Sequence, residues 1–175
     1  PVATVLGHID TELIPDTYVL SRGDLGRNKG KVGPGLPGIF SDGTEPEEMP
    51  VDIGGARYRK RLALWLTRPD HPLTARVMAN RIWQGHFGRG IVATANDFGR
   101  QGQPPTHPEL LDWLAAEFVA QGWSIKSMHR LIMLSNTYQM LSRFSDDSNM
   151  AIDPENLYLW RMNRRRLEAE AIWDS

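Results

Sequence analysis

Thr106-His107-Pro108-Glu109-Leu110-Leu111-Asp112-Trp113-Leu114-Ala115-Ala116-Glu117-Phe118-Val119-Ala120-Gln121-Gly122-Trp123-Ser124-Ile125-Lys126-Ser127-Met128-His129-Arg130-Leu131-Ile132 reads as two helices with almost nothing between them. Thr106 and Glu109 have the spacing of a capping box, and Pro108 falls in the first turn, where a missing N–H costs nothing. Leu110, Leu111, Leu114, Phe118 and Val119 make one apolar stripe. Gly122 can take the left-handed position that ends a helix, and Ser124 can cap the next. Trp123 and Met128 then stand as a hydrophobic staple, and Ile125, Met128, Leu131, Ile132 and Tyr138 form the second face. So short a connection makes a helical hairpin, and a mainly α fold follows.

Upstream, Tyr58, Leu62, Trp65 and Leu66 form a helical stripe that Pro69 stops. Asp70 can cap another helix with Pro72 in its first turn, carrying Leu73, Val77, Met78, Ile82, Trp83 and Phe87. Apolar residues wrap most of its circumference, which predicts a buried central helix. Ser142 to Asn149 reads as a polar loop, and Asp153-Pro154-Glu155 as the start of a last helix running through Arg164-Arg165-Arg166. The expectation is about five helices.

Residues 1–56 are rich in Gly, Pro and acids and lack a sustained period, which predicts an extended arm with one or two short strands. Thr17-Tyr18-Val19-Leu20 is the best strand, and Arg22-Gly23-Asp24 reads as the turn after it. Asp42 to Asp52 reads as an acidic linker, and residues 57–175 as the helical domain. The first residue is not Met, and the chain closes inside a helical pattern at Ile172-Trp173-Asp174-Ser175. We therefore expect a C-terminally truncated piece of a larger protein.

A formal charge of −1 provides no global steering toward nucleic acid or anionic membrane. Ser124–Arg130 offers only two firm positive charges to phosphate, so nucleic acid is not an expected partner. No apolar run approaches the roughly 18 residues of a membrane span. The chain has no Cys, which removes thiolate metal sites, Cys nucleophiles and covalent haem attachment through C-x-x-C-H. Neither a metal nor another cofactor is expected in this piece. Lys occurs only at 29, 31, 60 and 126, every other cation being Arg, so Arg–acid and Arg–Trp contacts are expected.

Candidate sites gather around the long glycine-rich stretch from Gly88 to Pro105, because loops of this length are commonly functional. Asn80 and Gln84 lie on the apolar face of the central helix, where amides need partners; they either tie down loop backbone or meet a ligand. Arg89 and Asn96 are further binding candidates. His86, Asp97, Arg100 and His107 are the catalytic candidates, since two His and a carboxylate suffice for general acid–base chemistry. Their spacing matches no metal-ligand motif. Arg164, Arg165 and Arg166 either pair with Glu168 and Glu170 one turn on or bind an anion.

Several strings together resemble the PSD-one domain family (domain of unknown function fifteen-fifty-three) of large planctomycete proteins. These are Arg61–Thr67, Pro72–Gln84, His86–Gly90, Asn96–Gly99, Pro105–Ala115 and Asn163–Ile172, nearly spanning 57–175. Trp173 departs from the Arg expected there. The resemblance implies a module lying after a second uncharacterised domain, often beside a cytochrome c-type haem domain, in exported and hence extracytoplasmic proteins. It implies other domains of the parent, and polysaccharide, as partners. Two functions fit: a noncatalytic packing and interaction module, or a hydrolase-like enzyme domain acting on glycans from a site around 86–107.

Overall fold

A computed structural model describes residues 16–33, 35, 37, 56–164, 166 and 173. Among the described residues, five helices and a two-stranded antiparallel sheet make it mainly α with strands near the N-terminus. The chain divides into two compact units, Pro1–His71 and Pro72–Ser175. The expected linker at 42–52, the Tyr58 side chain, Arg165, Glu168 and Glu170 lie outside the described residues.

In the first unit, β1 (Thr17–Ser21) and β2 (Asp24–Val32) pair antiparallel, with Ser21 opposite Asp24. Arg22 and Gly23 form the two-residue turn at φ 53° and 77°. Two positive φ values match the right-handed twist of the flanking strands. The Arg22-Gly23-Asp24 tripeptide is thus consumed by a hairpin turn. The helix α1 (Ala56–Leu66) ends where the Thr67 hydroxyl donates back to the Ala63 carbonyl. Leu62 and Leu66 of its expected apolar stripe are exposed, as is Leu64 beside them. The Trp65 ring instead meets buried His71 edge-on at 4.5 Å.

The second unit is built on α2 (Thr74–Phe87), α3 (Pro108–Ala120) and α4 (Ile125–Met133), with α2 against both others. Ile82, Trp83 and Phe87 of α2 meet Leu111, Leu114 and Phe118 of α3 and Met128 and Ile132 of α4 in one core. The expected central helix is real, but Asp70 does not cap it. Asp70 is held by both nitrogens of an Arg68 fork, at 3.1 and 3.0 Å, and α2 opens one turn later from Leu73 without a side-chain cap.

The α3–α4 connection is a Schellman closure. Gly122 N–H donates to the Val119 carbonyl and Trp123 N–H to that of Phe118, with φ 65° and 62° at the two residues. The Trp123 ring packs on Phe118 at 5.2 Å, the apolar contact that accompanies this motif. Ser124 caps α4 by accepting from Ser127 N–H. At the other end of α3 the capping box is absent: the cap residue is His107, and the Thr106 hydroxyl donates to the Ile91 carbonyl.

Two expectations about the C-terminal third fail. The polar stretch after Ser142 contains a short helix, α5 (Asp147–Ile152), because Asp146 accepts from Asn149 N–H and caps it. Among the described residues no helix runs on from Pro154. Asn156 and Leu159 both adopt φ 55°, which breaks helical continuity. The Asp153 carboxylate accepts from Leu157 and Tyr158 N–H, both at 2.9 Å, and the Asn156 amide pairs with both backbone groups of Arg161. Side chains thus replace the helical ladder. Leu159 and Met162 rest on the core. The Arg161 guanidinium lies 4.6 Å over Trp160, one of the expected Arg–Trp contacts.

Trp123→Ala should lower stability by about 2–3 kcal/mol through the lost packing of the indole on Phe118; a chemical denaturation curve measures it. Burial pushes the His71 imidazole below its ordinary value, Arg68 adding to this and Asp70 opposing it. Its contribution to stability is therefore complete above about pH 6.5 and is lost as pH falls from there through the folded-state value. The gap between unfolding midpoints at pH 7.5 and pH 5 should narrow in His71→Gln.

Candidate functional site

Between α2 and α3 the chain crosses the core without regular structure, and its peptide groups need partners there. Asn80 provides them. This side chain is fully buried; its Oδ1 accepts from Val92 N–H at 2.9 Å and its Nδ2 donates to the Val92 carbonyl at 3.0 Å. The amide has the chemistry of a peptide group, so one side chain does what a neighbouring strand would. Ile91 and Val92 can then drop into the core, 2% and 3% exposed. Thr106 N–H and hydroxyl both donate to the Ile91 carbonyl, fastening the far end of the loop beside the near one. Gly90 is required by this closeness. A Cβ there would sit 2.6 Å from the Val92 carbonyl and 2.7 Å from Asn80 Nδ2.

The remainder of the loop is braced on Thr94 and Asp97. Thr94 Oγ1 donates to the Asp97 carbonyl and accepts from Gln103 N–H, both at 2.9 Å. Asp97 Oδ1 accepts from Gly99 N–H. A Cβ on Gly102 would collide with the Asp97 carbonyl. Arg81 reaches from α2 to Asn96 Oδ1 at 2.8 Å, and Arg89 lies 3.6 Å from Glu155. The loop was expected to be tied to α2 by Asn80 and Gln84. Asn80 does this, whereas the Gln84 side chain makes no hydrogen bond to the loop among the described residues; its backbone carbonyl caps α2 by accepting from Gly88 N–H.

The four catalytic candidates go to different places. His86 turns toward α4, its Nε2 2.8 Å from Nδ1 of His129 and its ring edge-on to Tyr138. His107 Nδ1 pairs with the Thr106 hydroxyl, and its ring faces Tyr158 beside a cavity of about 30 Å³. Asp97 serves its own turn. Arg100 lines a separate cleft of about 610 Å³, whose walls include Phe98, Gln103, Leu111 and the Arg76–Asp112 pair. Arg76 Nε lies 2.6 Å from Asp112 Oδ1, and this bond holds the Asp112 carboxyl below its ordinary value. Among the described residues no three His, Asp or Glu side chains gather as a metal would need, and no helix is long and apolar enough to cross a membrane. Arg164 and Arg166 are exposed.

The family model for PSD1, a protein of unknown function (DUF1553), matches residues 58–175. The chain belongs to this family. No curated protein and no solved structure matches it. The matched span of this PSD1 chain contains the loop, both cavities and all the candidate residues.

Sequence reasoning missed His129, Tyr138 and Glu155 as neighbours of the candidates. His86 and His129 are 43 residues apart, and only the packing of α2 on α4 brings them together. The roles of Thr94 and Asp97 carried a signal, since Thr and Asp beside Gly are the residues that bond to their own turns.

Asn80→Leu should destabilise the second unit by about 3 kcal/mol, because both backbone groups of Val92 lose their partner in the core. Amide exchange should rise across 88–103 before α3 responds. Gly90→Ala should reproduce that pattern by steric displacement. Unchanged melting of both variants would contradict the role given to Asn80.

Proposed function

We propose that this chain is a noncatalytic packing and interaction module of a larger exported protein, acting outside the cytoplasm against other domains of that protein and holding no cofactor of its own. The separation of His86, Asp97, Arg100 and His107 carries this reading. General acid–base hydrolysis needs its proton donor and acceptor within hydrogen-bond reach of one bond. Here each imidazole is engaged with a different neighbour, and the carboxylate is held by its own turn. The internally braced loop supports the same view, since it presents a fixed surface to a partner. Export, haem-domain neighbours and polysaccharide partners rest on what the family resemblance implies.

The glycan-hydrolase alternative has a direct test. Purified chain incubated with p-nitrophenyl glycosides and with soluble polysaccharides should release no more nitrophenol or reducing ends than buffer. Release above buffer that disappears in His107→Ala or His86→Ala would overturn the noncatalytic reading.

A further inference from the structure

The cleft beside the loop has a chemistry that packing alone does not use. Its volume of about 610 Å³ falls within the range of small-molecule sites. Phe98 and consecutive Pro104 and Pro105 give it flat apolar walls, with Leu111 from α3. Three charged groups line it. Arg76 and Asp112 neutralise one another at 2.6 Å. Arg100 makes no hydrogen bond or ion pair among the described residues, which leaves the cleft with one net positive charge.

We propose that this cleft binds a small anionic ligand with a planar apolar body, its carboxylate on Arg100 and its ring between Phe98 and the prolines. A guanidinium presents parallel N–H groups that match a carboxylate, and its face also stacks on rings. A cationic ligand would meet the uncompensated charge of Arg100. A wholly apolar one would strip water from Arg100 and from the Arg76–Asp112 pair without replacing its hydrogen bonds. Asp112 Oδ2 has no hydrogen bond among the described residues and accepts from a hydroxyl or N–H at the ligand's other end. Occupancy of the cleft rests on the interaction reading above, but its test reads binding rather than turnover, so the two fail separately.

2-Naphthoate and the neutral 2-naphthalenemethanol serve as probes, titrated into ¹⁵N-labelled chain. The naphthoate should shift the amides of Phe98, Gly99, Arg100, Gly102 and Gln103 together with Asp112. Arg100→Gln, an exposed position that should leave the fold intact, should weaken naphthoate by about tenfold while leaving the alcohol within about twofold. Equal naphthoate affinity in parent and variant would overturn the assignment. So would the absence of binding, or shifts confined to the apolar groove between α3 and α4 around Trp113 and Leu134.

Discussion

The second unit depends on one requirement: a stretch of irregular backbone enters the core, and its N–H and C=O groups must be bonded there. Asn80 meets that requirement from the middle of α2. Because its amide takes both groups of Val92, Ile91 and Val92 can contribute apolar surface without an orphaned peptide. The glycine at 90, the fastening of Thr106 to Ile91 and the line of the cleft all follow from that close approach.

The same device recurs at the other end of the unit. Asn156, 3% exposed, pairs with both backbone groups of Arg161, and Asp153 beside it takes two further N–H groups. Two asparagines thus perform, in two irregular segments, the work of a neighbouring strand. Both segments come together around the small cavity near His107, where Arg89 and Glu155 face each other. Of the candidate residues, His86, Asp97 and His107 are each bonded to this scaffold.

What could be read from residues alone follows the range of the forces involved. The α3–α4 hairpin was legible because Gly122, Trp123 and Ser124 act on their immediate neighbours, and the closure they make is local. The buried face of α2 was legible from periodicity, and so was the need of Asn80 for backbone partners. The capping box at Thr106 failed because a carbonyl fifteen residues upstream competes for its hydroxyl. The Pro154 helix failed because side-chain amides can imitate a backbone partner, and propensity does not register that. In the candidate site, the loop was identifiable from its length and composition. The divergence of His86 and His107 was not, since it is decided by distant partners such as His129 and Tyr158.

The Asn80–Val92 clasp also has a kinetic side. It joins residues only twelve apart, and Thr106 meets Ile91 across fifteen, so both ties close short loops. Loop closure at such lengths takes well under a microsecond and costs little chain entropy. The path from α2 to the start of α3 can therefore assemble as a nearly local event once α2 is helical. The segment after Asp153 is different, since Leu159 and Met162 rest on a core that needs α2, α3 and α4 together. Local closure of this kind shortens the search by which α3 finds its place on α2, which favours rapid folding of the second unit.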